Sequence, residues 1–391
     1  MQNTGQAPKR FIVEGWRFVP HSYAIVNQWQ LLALSRRPDV AVKVADTPFY
    51  RRRWQTLEGL FNKADEQILK SLAVSEVGER ADVTLRISSP FDFSPSLSKQ
   101  TVVFGTSETQ VLRKDQFSNT EAFGRFQRTL PPKDIKVITP SRWSAEGFYQ
   151  AGFAHEQVLI IPHGVDVDTF HPMPDVRMQV RGNLCRGGDE FVFLSVGAMT
   201  GNKGIDLLLK AFSEISRRFS GARLILKGMN SLYQSEDLLD KHMQTMSAVD
   251  RQLVKDRMTY FGDPFSNDKM AKLYQVADTY VSPYRAEGFN IPVLEAAASG
   301  IPVICTDGGA TDDFVTNDFA RKIESQKSPV PGQEQPAYRL EPNLEHLIAL
   351  MESAIEDRLW RARAAEAGPN HVRGNYTWDR VVEMLVQKLM D

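Results

Sequence analysis

The sequence predicts an α/β protein of two domains, each a doubly wound, mostly parallel sheet covered by helices. β-rich runs alternate with helical patterns along most of the chain, which is the order that parallel βαβ units produce. The alternation stops once, at 163–190, where proline, glycine and charged residues predict a linker, and then begins again. With 391 residues, of which 42 % are hydrophobic, the chain can supply two apolar cores.

The first domain, assigned to residues 1–175, opens with a β-α-β unit. Apolar residues recur at helical spacing between Ile25 and Leu34, and strand candidates lie on both sides of this pattern. The strand candidates of this domain are residues 11–18, 39–46, 81–89, 101–106, 135–141 and 158–162. The stretch RWSAEGFYQAG predicts a helix between the last two of them.

The second domain, assigned to residues 176–372, repeats the pattern. Its strand candidates are FVFLSVGAM from Phe191, then ARLILKG, MTYFGD, DTYVSPY and VICTD. Its helix candidates are IDLLLKAFSEISRRF, KMAKLYQVA, a short helix at 292–299 and a long one at 344–367. The segment YTWDRVVEMLVQKLM predicts a final helix within residues 373–391.

Composition and charge exclude several classes of protein. Lys and Arg number 47 against 48 Asp and Glu, so no net positive charge favours wholesale binding of nucleic acid. No apolar run approaches the roughly 18 residues that a membrane span requires. Two cysteines, Cys185 and Cys305, form no disulfide framework, so we expect reduced thiols in a cytoplasmic protein. Arg51–Trp54 opens a predicted helix; it could contact a membrane peripherally, or be a solvated helix face.

Two carboxylates lie in the stretch from Pro283 to Gly309. Pro292 and Gly300 bracket the short helix, so Glu295 is predicted in its first turn and Glu287 in the loop before it. Gly288 and Asn290 allow backbone N–H groups of that loop to turn towards a ligand. A helix start favours an anion, whereas carboxylates favour hydroxyl groups. A sugar nucleotide offers both.

The loop TGNKG, at 200–204, places Lys203 between a strand and a helix start. A lysine and free N–H groups there predict a cradle for a diphosphate, although a solvated loop lysine is the alternative. Gly204 follows Lys203, so the P-loop pattern GxxxxGK[ST] is absent. No strand runs into GxGxxG, which weakens a dinucleotide-dependent dehydrogenase.

The segment EGFNIPVLEA resembles the E-x7-E signature of retaining glycosyltransferases of family 4, because seven residues separate Glu287 from Glu295. The flanking VSPYRAEGF, SGIPVICTDGGATDDFV and IPHGVDVDTFHP resemble that family too. The resemblance implies the GT-B fold, with two Rossmann-like domains facing a cleft and a C-terminal helix at 373–391 packing back on the first domain. It also implies a UDP- or GDP-sugar donor in the second domain and a carbohydrate or lipid-linked acceptor in the first.

Residue by residue, the resemblance implies that Glu287 contacts the transferred sugar and Glu295 the ribose. Around them it implies donor-binding positions at Gly288, Phe289, Asn290, Ile291 and Leu294. Ala198 and Met199 stand where the family carries an arginine, so Lys203 takes more of the phosphate charge or Arg285 helps. Lys227 and Gly262 end strands at the rim expected to hold the base, where simple strand termination is the alternative.

In the first domain, His21 follows the first strand, where the family's loop approaches the diphosphate and the acceptor. We therefore predict His21 as a catalytic residue, with a structural histidine as the alternative. The family's histidine near the fourth strand is replaced by FGTSETQ, in which Ser107 or Glu108 could substitute for it.

No essential metal and no cofactor are predicted beyond the donor substrate. No DxD pair follows an apolar strand, and Lys203 with a helix start could neutralise the leaving diphosphate. A sugar-nucleotide epimerase or a glycan phosphorylase is the weaker enzyme alternative. The other alternative is a non-catalytic GT-B protein that binds a sugar nucleotide or a glycan.

Overall fold

The computed structural model describes residues 7–129, 131–185, 190–332 and 335–390. They form two compact units. Unit 1 holds the described residues up to His163 together with those from Trp378 onward, and unit 2 holds Gly164–Thr377. The sequence-based boundaries at 175/176 and 372/373 therefore both fall inside unit 2. Val165 explains this, because its N–H donates to the carbonyl of Tyr376 at 2.8 Å and joins the two ends of unit 2.

Within the described part of unit 1, six parallel strands form one sheet in the order β2-β1-β3-β4-β5-β6. The strands are β1 Lys9–Gly15, β2 Val40–Asp46, β3 Val83–Ile87, β4 Gln100–Phe104, β5 Ile135–Thr139 and β6 Val158–Ile160. The helices are α1 Ser22–Ser35, α2 Lys63–Ser71, α3 Thr120–Arg128, α4 Arg142–Gln150 and, from the end of the chain, α14 Trp378–Met390. All six strands match candidates from the sequence.

Helix α14 joins unit 1 through its apolar face. Its buried residues are Trp378, Val381, Val382, Leu385, Val386 and Leu389, which recur at helical spacing. The indole of Trp378 stacks on that of Trp29 in α1, with ring centroids 6.4 Å apart. The last helix is therefore held in unit 1 by apolar burial.

Unit 2 contains a second sheet, which in the described residues has six parallel strands ordered β12-β11-β10-β7-β8-β9. They are β7 Phe191–Val196, β8 Ala222–Lys227, β9 Met258–Phe261, β10 Thr279–Ser282, β11 Val303–Thr306 and β12 Ala320–Ile323. A separate antiparallel hairpin joins β13 Ser325–Pro329 to β14 Tyr338–Pro342. The helices are α5 Pro174–Leu184, α6 Ile205–Arg218, α7 Asn230–Tyr233, α8 Ser235–Gln244, α9 Ala248–Lys255, α10 Asn267–Tyr274, α11 Ile291–Ala298, α12 Leu344–Glu356 and α13 Arg358–Asn375.

Each sheet reverses its strand order at one point. In unit 2 the reversal lies between β7 and β10, and in unit 1 it lies between β1 and β3. Open α/β sheets bind ligands outside the carboxyl ends of the strands at such a switch point. Lys203 follows β7 and Glu287 follows β10, whereas His21 follows β1. The topology thus places these three predicted residues at switch points of their own units.

Some predictions of local structure were wrong, and the single helix predicted at 344–367 is two helices, α12 and α13. The stretch 163–190 contains helix α5, which belongs to unit 2, although residues 186–189 of the predicted linker lie outside the described residues. Arg177 and Arg181 of α5 both bond to Asp278, at 2.5 and 2.8 Å, so polar contacts dock a helix with no buried residue. Arg51–Trp54 forms a turn, closed by a 2.9 Å backbone hydrogen bond, and does not begin a helix.

Candidate functional site

The loop after β7 is shaped by one glycine. Gly204 has a φ of 67°, and a Cβ there would lie 1.9 Å from the carbonyl oxygen of Pro283, so only glycine fits. Gly204 also caps α6 and offers no side chain to its first N–H groups. The start of α6 is therefore open to an anion from the loop that carries Lys203.

The segment after β10 leads into helix α11. Asn290 adopts a left-handed conformation (φ 80°) that starts α11 at Ile291, one residue earlier than predicted. Glu295 is consequently the fifth helical residue and lies beyond the first turn. The prediction that Glu295 lies in the first turn was therefore wrong. The Asn290 amide donates to the Ser282 hydroxyl at 2.9 Å, which fixes this turn to the end of β10.

The two loops are joined by their backbones. The N–H groups of Arg285 and Ala286 both donate to the carbonyl of Asn202, at 2.7 and 3.2 Å. The Arg285 guanidinium also donates to the Gly201 carbonyl at 3.0 Å. These bonds hold the loop at 200–204 (the lysine loop) and the loop at 283–290 (the glutamate loop) together as one surface at the switch point of unit 2.

Lys203 and Glu287 contact each other directly. The Lys203 ammonium donates a hydrogen bond to Oε1 of Glu287 in an ion pair. The Glu287 side chain is 7 % exposed and that of Lys203 is 24 % exposed, so the pair is partly withdrawn from water. The structure thus brings together the residue predicted for the diphosphate and the residue predicted for the sugar.

Glu295 is half-buried in helix α11. Burial raises the pKa of its carboxyl group to about 7, and a hydrogen bond from Tyr274 opposes that rise. The Tyr274 hydroxyl donates to Oε2 of Glu295 at 2.7 Å. No sequence pattern indicated this contact, because Tyr274 lies on the apolar face of α10 and resembles any other core aromatic.

Arg285 was the alternative to Lys203 alone for the phosphate charge, and its own charge is already compensated. Its guanidinium donates two hydrogen bonds to Asp206, at 2.7 and 2.9 Å, and a third to Glu341 of β14 at 3.0 Å. The side chain is 14 % exposed. Arg285 therefore joins α6, the glutamate loop and the hairpin, and this structural role replaces the predicted one.

Lys227 and Gly262 lie at the carboxyl ends of β8 and β9. Burial lowers the pKa of Lys227 to about 8, with Asp263 opposing the shift. The Lys227 ammonium donates to the Gly228 carbonyl and lies 4.9 Å from the ring centre of Phe265. A Cβ at Gly262 would meet the Asn230 amide at 2.2 Å, so this rim is closely packed. Its contact with a base stays a prediction.

The other predicted donor-binding residues divide by exposure. Leu294 and Phe289 are buried in the core of unit 2, and Phe289 packs on Phe314 with ring centroids 4.6 Å apart. Ile291 is half-buried at the first position of α11. Gly288 lies in the loop between Glu287 and that helix. The side chains of Leu294 and Phe289 therefore shape the site from beneath.

His21 caps helix α1 in unit 1. Its Nδ1 accepts a hydrogen bond from the Tyr23 N–H at 3.2 Å. The imidazole packs against Trp16 and Trp54, with ring centroids 5.2 and 5.1 Å away. Burial lowers the pKa of His21 to about 4, so the ring is neutral at pH 7. It can take part in hydrogen bonds but supplies no positive charge for a phosphate.

Ser107 and Glu108 follow β4. Ser107 is fully buried, and its hydroxyl donates to the Val111 carbonyl at 3.1 Å. The Glu108 carbonyl accepts a hydrogen bond from the Trp143 indole at 2.8 Å. The Ser107 side chain therefore stabilises the turn, which is a different role from the sugar contact that the sequence suggested.

Two kinds of feature are absent from the described ranges. No group of three or more His, Cys, Asp and Glu side chains is arranged there to hold a metal ion. No helix in the same ranges is both long and apolar enough to cross a membrane.

The fold and this site can be compared with known proteins. Residues 179–371, just under half of the chain and all in unit 2, match the family model described as glycosyl transferases group 1. The chain is similar over 97 % of its length to a glycosyltransferase from Rickettsia africae (TM-score 0.71, 13 % identity, 98 % of that chain covered). It is also similar to Anabaena HepE in complex with UDP-glucose (TM-score 0.66, 16 % identity, 98 % of this chain and 99 % of that one). The fold is GT-B, as predicted.

Relatives of known name are similar to this chain in sequence. The chain is 25 % identical over 267 residues to the lipopolysaccharide 1,2-N-acetylglucosaminetransferase of Salmonella typhimurium, covering 68 % of this chain and 64 % of that protein. It is 28 % identical over 237 residues to a GDP-mannose-dependent alpha-(1-6)-phosphatidylinositol monomannoside mannosyltransferase of Mycobacterium tuberculosis, covering 59 % and 54 %. The chain thus spans less than two thirds of the length of either relative. Both of these relatives are glycosyltransferases by name.

Proposed function

We propose that the protein is a retaining glycosyltransferase that uses a UDP- or GDP-linked sugar. The acceptor is a hydroxyl of a glycan, a lipid-linked sugar or a small molecule. The observation that carries this proposal is the contact between Lys203 and Glu287 at the switch point of unit 2. A cation beside an uncapped helix start suits a diphosphate, and an adjacent carboxylate suits sugar hydroxyls. The donor class is supported by relatives whose names include GDP-mannose and by a similar fold solved with UDP-glucose.

Lys203 and the first N–H groups of α6 take the diphosphate. The ammonium is held by Glu287 and keeps enough exposure to turn towards a phosphate oxygen. As the bond to the sugar breaks, negative charge grows on the departing diphosphate, and a fixed cation stabilises that charge. This assigns the leaving group to the lysine loop.

Glu287 and Glu295 bind hydroxyl groups at the two ends of the donor. Glu287 orients the transferred sugar without forming a covalent bond to it. Glu295 accepts hydrogen bonds from the ribose, which requires its ionised form. Carboxylates accept such bonds strongly because they are charged.

In the transfer step, the bond from the anomeric carbon to the phosphate oxygen breaks and leaves an oxocarbenium-like centre. The acceptor oxygen then bonds to that carbon on the face that the diphosphate leaves, so the configuration is retained. The acceptor proton passes to the departing phosphate oxygen. No metal or cofactor takes part in this proposal, and His21 is a neutral hydrogen-bonding group.

A non-catalytic protein that binds sugar nucleotides is the second candidate. The neutral His21 and the compensated Arg285 favour it, because His21 supplies no charge and the charge of Arg285 is already paired with Asp206 and Glu341. Incubation with radiolabelled UDP- and GDP-sugars, with and without a panel of sugar acceptors, separates the two. We expect release of nucleoside diphosphate with one donor. Tight nucleotide binding without any release would support the second candidate.

The site is tested by separate substitutions of the two glutamates. We expect Glu287→Ala to lower turnover by about 10²-fold or more, because sugar orientation is lost. We expect Glu295→Ala to weaken nucleotide binding by about tenfold, the loss of roughly 1.4 kcal/mol. Glu366→Ala, at an exposed position of α13, is the control and should change neither.

Glu287→Gln keeps the shape of the side chain and separates chemistry from folding. Melting temperatures of all four variants show whether unit 2 remains intact. Unaltered release and binding in both alanine variants would refute the site. A screen of UDP- and GDP-sugars by thermal shift identifies the donor beforehand, since a ligand of the folded state raises the melting temperature.

A further inference from the structure

Tyr274 stands out among the buried polar groups that the proposed reaction does not use. It ends helix α10, is fully buried, and its hydroxyl points to the side chain of Glu295. The bond to Oε2 of Glu295 is 2.7 Å long, and the carbonyl of Pro292 lies farther away at 3.3 Å. The hydroxyl therefore donates its hydrogen bond to the carboxylate of Glu295.

The phenol ring is held on several sides. Its centroid is 5.9 Å from the ring of Phe170, in an edge contact, and 6.0 Å from the ring of Tyr280. The next residue, Gln275, accepts from the Met173 N–H at 2.9 Å and donates to the His171 carbonyl at 3.1 Å. The hydroxyl is thus fixed in position before any ligand arrives.

A carboxylate that binds a ribose must be both ionised and correctly turned. The hydrogen bond from Tyr274 favours the ionised form, because it stabilises the charge that burial destabilises. Among the described residues, the titratable groups around Glu295 are Tyr274 on α10 and Tyr280 on β10, with Glu287 and Cys305 of β11 next to Tyr280. Burial raises the pKa of Cys305 to about 12, so its thiol does not titrate between pH 6 and pH 9. Helix α13 also packs on α11, but it presents His371 to the carbonyl of Phe314.

We infer that Tyr274 is a positioning residue for Glu295, holding one carboxylate oxygen so that the other meets the ribose of the nucleotide. This inference rests on the proposed function, because it takes Glu295 as the nucleotide contact. It goes beyond that function by assigning a role to a residue that touches no substrate.

The test is nucleotide binding as a function of pH. UDP and GDP are titrated calorimetrically into wild type and Tyr274→Phe from pH 6 to pH 9. In wild type, binding should weaken as the pH falls through about 7, where Glu295 takes up a proton. Removing the hydroxyl raises the pKa of Glu295 further. A rise of one unit makes binding about fivefold weaker at pH 7 and less than about twofold weaker at pH 9.

Tyr284→Phe is the matched control. Tyr284 is also fully buried, but its hydroxyl bonds to Thr311 at 2.8 Å and not to a carboxylate. It should lose similar stability and keep the wild-type pH midpoint. A midpoint in Tyr274→Phe equal to that of wild type would overturn the inference.

Glu295 variants separate this inference from the proposed function. Glu295→Gln should lose the part of the pH dependence that Glu295 contributes and keep only that of the terminal phosphate of UDP or GDP, which titrates near about pH 6. If Glu295→Ala binds UDP and GDP as tightly as wild type at pH 9, the proposed donor site fails together with the inference. If Glu295→Ala binds weakly while Tyr274→Phe keeps the wild-type midpoint, only the role of Tyr274 fails. If wild type binds neither UDP nor GDP, both the proposed function and the inference about Tyr274 are overturned.

Discussion

The switch points of the two units use similar positions in different ways. In unit 2, Lys203 and Glu287 follow two neighbouring strands and form an ion pair that keeps some exposure. In unit 1, His21 follows β1 at the corresponding reversal, and it caps a helix inside a group of aromatic rings. One switch point thus carries a charged pair, and the other carries a neutral ring that supports the fold.

The difference shows that a topological position alone does not make a phosphate site. A diphosphate needs compensating charge, which Lys203 and the start of α6 supply in unit 2. His21 is neutral at pH 7 because burial lowers its pKa to about 4. Unit 1 can therefore offer hydrogen bonds at this position, and unit 2 carries the electrostatic part of the proposed reaction.

The largest effect should come from Gly204→Ala. The new Cβ would overlap the Pro283 carbonyl at 1.9 Å, and alanine disfavours a φ of 67°. We expect the free energy of unfolding to fall by about 3 kcal/mol or more, which lowers the melting temperature of unit 2 by about 6 °C or more. Calorimetry of unfolding measures this.

Gly201→Ala, three residues earlier, is the control, because nothing lies within 4 Å of its Cβ position. Gly201→Ala should lower the free energy of unfolding by less than about 1 kcal/mol. Similar melting temperatures for the two alanine variants would mean that the close approach of the two loops is absent in solution.

A smaller effect should come from His21. Asparagine can accept the same hydrogen bond at the start of a helix but loses the ring contacts with Trp16 and Trp54, so His21→Asn should lower the free energy of unfolding by about 1–2 kcal/mol and still fold. We expect nucleoside diphosphate release to stay within about tenfold of wild type, far above that of Glu287→Ala. A folded His21→Asn as inactive as Glu287→Ala would instead give His21 the catalytic role that the sequence predicts.

Much of the fold could be predicted because both sheets are parallel and their strands are buried apolar runs. The hairpin β13–β14 was missed because its strands are short, polar and bordered by prolines. Helix α5 was missed because the prolines, glycines and charged residues of 163–190 indicated a linker, although Val176, Val180 and Leu184 recur at helical spacing.

The candidate site was predictable only in part. The spacing of Glu287 and Glu295 and the loop around Lys203 are local patterns, so sequence reasoning could find them. The contacts of Tyr274 with Glu295 and of Arg285 with Glu341 join residues 21 and 56 positions apart. Such contacts depend on the packing of α10, α11 and the hairpin, which the order of residues does not display.

The central claim is that the lysine loop of unit 2 binds the diphosphate of a sugar nucleotide. Calorimetric titration of Lys203→Met with UDP and with GDP tests it most directly, with Lys210→Met, an exposed lysine of α6, as the control. We expect the nucleotide that wild type binds to lose about tenfold or more in affinity for Lys203→Met, because one charged phosphate contact is removed. Lys210→Met should bind as wild type does. An unchanged Kd in a folded Lys203→Met would contradict the claim.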